Sequence, residues 1–177
     1  MIPVTRHPNL AAIDDILARV RSPRLAAFLH HMKAIHPPGR LPARSAFDPI
    51  NVPLLLGNIV LVKVERPPAP PGESTPARFL VKVAGNDVLG AAPLPMMNRY
   101  LDELVRRNEK PAAQAIIDSR QNVVDSGCTY YWFGPPRMKF RFDFADVEYC
   151  HCPLAEDGVT VDRIISFFQY SGARPEA

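Results

Sequence analysis

No stretch of this 177-residue chain approaches the ~18 consecutive apolar residues that a membrane-spanning helix needs. Its densest apolar segment, Val52 to Val64, is broken by Pro53, Gly57, Asn58 and Lys63. The opening residues, MIPVTRHP, lack the 7–15-residue apolar core of a secretory signal, so the expected location is cytoplasmic. Cysteine is scarce: Cys128, Cys150 and Cys152 are three, an odd number that excludes a closed disulfide framework. Residues two apart on one strand are poorly placed to bridge, so reduced thiols are expected. Neither charge sign dominates, with 21 basic against 18 acidic residues and a net charge of +3, which argues against a nucleic-acid partner. Only 9 glycines occur, and none builds a G-x-S-x-G elbow or a phosphate-cradling loop; H-E-x-x-H is absent too.

What is present is a globular composition, 47% hydrophobic and 22% charged, with proline unusually frequent at 20 residues. Length and composition together fit one domain. Ile13, Ile16, Leu17 and Val20 mark one face of a first helix, expected to stop before Ser22-Pro23. Ser22 can cap a second helix with Pro23 in its first turn. Its stripe is Leu25, Phe28, Leu29, Met32 and Ile35, ending at His36-Pro37-Pro38-Gly39.

The period then changes. Asn58 to Glu65 and Arg78 to Ala84 are β-branched and predict two antiparallel strands around a five-proline loop, Arg66 to Ala77. A helical middle follows: a turn over Asn86 to Gly90, a short helix over Met97 to Arg107, and a longer one over Lys110 to Asp125 stopped by Ser126-Gly127. Three strands are expected last, over Cys128 to Phe133, Lys139 to Leu154 and Val159 to Tyr170, with Glu156-Asp157-Gly158 as a tight hairpin turn. This order excludes a doubly wound sheet. The expected class is α+β: a five-stranded antiparallel sheet with connector helices on one face and a helical extension at residues 1–40, a main unit at 41–172 and a tail at 173–177.

The order resembles the PAS fold, and local segments are similar to a proteobacterial family of small single-domain PAS proteins. They are Leu41-Pro42-Ala43-Arg44-Ser45-Ala46-Phe47-Asp48-Pro49 before the first strand, Leu55 to Leu61 within it, Phe79 to Asn86 at the second strand, and Cys152-Pro153-Leu154 with Glu156-Asp157-Gly158 and Val161 to Ile164 at the terminal hairpin. The resemblance spans roughly residues 23–170. The chain departs from the family where Asn86, not threonine, follows Gly85, and where Met97-Asn98 stands near the usual Thr-Gly pair. The resemblance implies a five-stranded PAS-like sheet and a sensory or interaction module. It also implies where cofactors would attach. PAS flavin photosensors use a connector cysteine and oxygen-type haem sensors a connector histidine, yet residues 86–127 contain neither. No cofactor is expected, and the protein should be colourless.

On that fold the connector and the inner sheet face should enclose a pocket lined by Leu101, Ile117, Tyr131, Phe144 and Phe168. Arg120 lies among Ile116, Ile117, Val123 and Val124. It can hold a carboxylate ligand bidentately, but the expectation is that its stem packs while its guanidinium reaches solvent or an acid. Tyr130, Tyr131, Trp132 and Phe133 are expected as core aromatics. In Cys150-His151-Cys152 the thiols share one strand face and His151 the other, too few ligands for tetrahedral zinc, so no metal is expected. His30, His31 and His36 are expected at the surface, and Asp102-Glu103 as a solvated pair.

The resulting expectation is a non-enzymatic PAS module that binds a small molecule or a signalling-protein partner, with no catalytic residues, no nucleic acid and no membrane. With the whole sequence taken up by one unit, output is expected through protein contacts. Two alternatives stand beside it: a cone-shaped enzyme resembling ketosteroid isomerases, with Asp125 or Asp143 as base, and a PAS scaffold without ligand. So long an apolar stripe must find a partner, either the outer sheet face near Leu61 or Leu80 or the same helix of a second copy; both can hold together, and a homodimer is expected through Leu25, Phe28, Leu29, Met32 and Ile35.

Overall fold

Prolines open both amino-terminal helices in the computed structural model, which describes residues 6–173. Helix α1 (Pro8–Leu17) is capped by His7, whose Nδ1 accepts from the Asn9 N–H at 3.1 Å. Helix α2 (Pro23–Ala34) is capped by Ser22, whose hydroxyl accepts from the Leu25 N–H at 3.2 Å. Proline fits these first turns because the missing N–H has no partner inside the helix. Three short 3-10 turns, Arg44–Ala46, Pro49–Asn51 and Pro53–Asn58, lead into strand β1 (Ile59–Glu65). Strand β2 (Arg78–Ala84) returns antiparallel, and Gly85 closes it. A Cβ at Gly85 would lie 2.1 Å from the Leu56 carbonyl oxygen, so only glycine lets the 3-10 turn pass.

The connector comprises α3 (Asn86–Ala91), α4 (Leu101–Arg106), a 3-10 turn at Pro111–Gln114, and α5 (Ala115–Ser126). Gly127 ends α5 in the left-handed region at φ 64°. Strands β3 (Tyr130–Gly134), β4 (Phe144–Leu154) and β5 (Arg163–Ala173) complete one antiparallel sheet in the order β2-β1-β5-β4-β3. The class is α+β with a five-stranded antiparallel sheet, as the sequence predicts.

Both sheet faces are covered, and strand alternation sorts the side chains between them. Val60, Val62, Val81, Val147, Tyr149, Ile164 and Phe168 face the connector. Ile59, Leu61, Cys150, Cys152, Leu154, Ile165 and Phe167 face the amino-terminal helices. Phe28 of α2 stacks on Phe167 with ring centroids 5.4 Å apart. Glu148 ties this layer down: its carboxylate accepts the Arg21 and Ser22 N–H groups at 2.7 and 2.8 Å and the Tyr131 hydroxyl at 2.7 Å.

This packing corrects the expected dimer interface. Leu25, Phe28 and Leu29 are 0% exposed and Met32 2% within the single chain, and only Ile35 is half-buried. The sheet of the same chain absorbs the stripe, which leaves it no apolar face for a second copy.

Several strand limits also differ. Lys139 to Asp143 is loop, not strand, because β3 ends at the Gly134–Val147 pair and β5 at the Ala173–Phe144 pair, so no strand among the described residues pairs with it. Val159 to Asp162 is loop as well, and the tight hairpin is absent. Asp157 accepts the Val159 and Thr160 N–H groups and Asp162 that of Glu156, while Leu41 and Ala155 exchange backbone bonds with Gly158 and Pro42 across the loop. Helix α4 starts at Leu101, four residues after the expected Met97, and α1 at Pro8, ending at Leu17. Ala173 belongs to β5, and the rest of the expected tail lies outside the described residues. No helix among the described residues is long and apolar enough to cross a membrane.

Candidate functional site

The connector does not close completely on the sheet. A cavity of about 70 Å³ remains between them. Val60, Phe168 and Tyr170 form its floor on β1 and β5; Val88, Leu101, Leu104 and Ile116 form its helical walls; Met138 and Phe140 cover it from the loop between β3 and β4. Asn108 is a wall residue already engaged, since its side chain holds Lys110 and Lys139 backbone groups. Among the described residues no acidic side chain lines the cavity.

One wall residue is a cation. Arg120 occupies a core position of α5, four residues after Ile116 and three before Val123, and is 1% exposed. Its Nη1 donates to the Ile116 carbonyl at 2.9 Å, and its Nη2 reaches Ser166 Oγ at the long distance of 3.5 Å. Its Nε has no partner. This corrects the expectation that the guanidinium reaches solvent or an acid: it reaches neither. Burial without a counter-ion pushes Arg120 down to about 10, where it still carries its charge at neutral pH.

Behind Ser166 lies His151, whose Nδ1 sits 2.7 Å from Ser166 Oγ and whose Nε2 is buried without partner. The β-ladder fixes this line, because Ser166 pairs with Val60 on one side and His151 on the other, and His151 pairs with Tyr130. The His151 ring stacks on Tyr130 at 6.0 Å and lies tilted beside Tyr149 at 5.0 Å between centroids. Burial, and then the Arg120 charge, hold His151 well below its ordinary value, so it is neutral. Farther along the same face Arg137 lies 3.2 Å over the Trp132 ring and donates to the Tyr130 and Tyr149 hydroxyls at 3.1 and 3.4 Å. Burial raises the Tyr149 and Tyr170 hydroxyls, keeping both protonated.

Of the pocket residues expected from sequence, the structure brings together Leu101, Arg120 and Phe168 at the cavity. Tyr131 is a correction: it faces the amino-terminal helices, where burial and its bond to Glu148 raise its pKa, and Tyr130 takes the inner position. Ile117 is another, since it lines a surface groove with Pro76 and Arg106 while Ile116 faces inward. Phe144 stacks on Tyr170 at 4.7 Å but stands outside the cavity wall. Asp125 and Asp143 are exposed and away from the cavity. Asp102 is not simply solvated, for it takes Arg78 bidentately at 3.1 Å. His30 is exposed, but His31 packs edge-on against Phe47 and His36 against His7, which makes both half-buried. No group of three or more metal-ligating side chains occurs among the described residues.

Sequence reasoning missed His151 and Ser166 as partners of Arg120. Their signal was present as two polar residues at inward positions of otherwise apolar strands, visible only once the β4–β5 register aligns them. Compared with protein-family models and with curated protein sequences, the chain matches none.

Proposed function

We propose that this chain is a non-enzymatic sensory module of the PAS type, which takes a small molecule into the cavity between connector and sheet and signals through protein contacts. The observation that carries this reading is the apolar cavity with a fully buried, incompletely paired arginine in its wall. The β2-β1-β5-β4-β3 order with its helical connector between β2 and β3 supports the PAS resemblance. The enzyme alternative draws no comparable support, because the carboxylates it would use stand outside the cavity. Buried Cys150 and Cys152 stay unbridged, which suits a reducing cytoplasm. Dimerisation through α2 is not part of the reading.

Native mass spectrometry of freshly purified protein, followed by denaturation, tests it. The expected result is a small-molecule mass excess that leaves on unfolding. Replacing Ala113, a buried wall residue on the 3-10 turn, by leucine should fill the cavity and remove that excess while the circular dichroism spectrum is kept. A bare mass, together with no small molecule that raises the melting temperature, would leave the ligand-free scaffold and overturn the sensor.

A further inference from the structure

Arg120 is a poor choice for folding alone. A core position on α5, flanked by Ile116 and Val123, would be filled at less cost by leucine or methionine. A buried charge is normally kept only where a partner of opposite sign meets it. Here the protein offers its guanidinium one carbonyl of its own helix and one long contact to a serine hydroxyl. The adjoining Ser166 is further engaged by His151, and His151 is neutral and brings no negative charge. The cavity that this side chain borders contains no carboxylate. Among the described residues nothing supplies the missing half of the ion pair, and a ligand would bring it.

We propose that the cavity binds a small organic carboxylate, with its anionic end on Arg120 and its short apolar body among Ile116, Leu104, Met138 and Phe168. The inference rests on the sensor reading above and specifies its ligand class. Two features select the occupant. A guanidinium fork matches a carboxylate with two parallel N–H bonds, and Arg120 Nε is free for one of them. The rest of the wall is almost wholly apolar, which disfavours a fully hydrated inorganic anion such as phosphate. Size sets the upper bound: 70 Å³ is below the roughly 150 Å³ of an engineered cavity that holds benzene, so a chain of a few carbons fits. Met96 and Met138, both unbranched and adaptable, allow slightly longer chains.

The probes are butyrate, its neutral isostere butyramide, the cation butylammonium, and inorganic phosphate, each titrated into the intact chain and followed by heteronuclear NMR of the Ile116 and Leu104 methyl groups. Butyrate should shift these signals saturably and bind at least about tenfold more tightly than butyramide, with butylammonium and phosphate silent. Arg120→Met should fold, keep the weak butyramide affinity and lose the butyrate preference. If that variant does not fold, the wild-type Arg120 Nε–Hε resonance decides, because it must move with butyrate and not with butyramide. Equal binding of butyrate and butyramide, or an Arg120 resonance that stays fixed while the methyl groups shift, would overturn the carboxylate class and leave the sensor reading intact. A response to phosphate equal to that of butyrate would overturn the apolar body. No response to any probe, in a protein that native mass spectrometry also finds bare, would overturn both.

Discussion

At the scale of single residues, the inner sheet face holds charge and polarity at unusual depth. Arg120, Ser166 and His151 form a buried line crossing from α5 to β4, and each depends on its neighbour for a partner. The groups facing His151 are Arg120, Tyr149, Tyr130 and Phe168; none supplies a negative charge that would welcome a second proton. The folded chain therefore keeps His151 neutral, whereas the unfolded chain titrates near its ordinary 6.5. As pH falls through 6.5 the unfolded state takes up a proton that the folded state refuses, so stability declines toward acid. One such histidine contributes about 1.4 kcal/mol per pH unit until its folded pKa is reached. His7, His31 and His36 are also lowered by burial and add to the same slope. The lowered carboxylates of Asp14 and Asp157 titrate from 3.8 and do not enter this window. Urea midpoints at pH 7.5 and 5.5 should differ clearly for the wild type and less for His151→Phe. Equal differences in the two proteins would mean that His151 is protonated in the fold.

At the scale of elements, α2 is the clearest case of a stripe whose use the sequence left open. Leu25, Phe28, Leu29 and Met32 announce a helix that must be buried, and their spacing says nothing about whether a sheet or a second copy does it. The structure gives the stripe to β5 and β4, so truncating Phe28 removes its contacts with Phe167 and Phe47 inside one chain. Phe28→Ala should cost ~3–5 kcal/mol in chemical denaturation. Phe28→Asp with Met32→Asp should yield insoluble or unfolded protein, and a folded monomer from that pair would return α2 to an intermolecular role. The same ambiguity of facing explains the pocket residues that were misplaced. Tyr130 and Tyr131 are both large aromatics, and Ile116 and Ile117 are identical in type; only the β3–β4 register and the placement of α5 decide which points inward. Arg120 was legible as a wall residue because Ile116, Ile117, Val123 and Val124 flank it at helical spacing. The Lys139–Asp143 alternation read as a strand because period two shows which side chains share a face, not whether a neighbouring strand exists to pair with. By contrast, β2 and the Gly127 cap were legible to the residue, since β-branching and a left-handed glycine are local causes.

At the scale of the molecule, one sheet serves two cores. The connector packs on Val60, Val62 and Phe168, the amino-terminal helices on Leu61, Ile165 and Phe167, and these residues alternate along the same strands. Neither layer can keep its apolar floor if the sheet comes apart, because slipping β1 or β5 by one residue would exchange the two faces. The amino-terminal helices are therefore a structural half of the unit and not an appendage, despite the proline-rich segment that separates them from β1. The chain carries a natural pair of reporters for this point. Its one tryptophan, Trp132, lies on the connector side beneath Arg137, and the buried thiols of Cys150 and Cys152 lie on the helical side. Burial raises the Cys150 thiol far above its ordinary value, so it reacts only when that layer opens. In a Cys128→Ser background, which removes the half-buried third thiol, urea unfolding followed by Trp132 fluorescence and by thiol labelling in brief pulses should give one midpoint. Thiols that become reactive at a lower urea concentration than the one that changes Trp132 fluorescence would mean that α1 and α2 detach first.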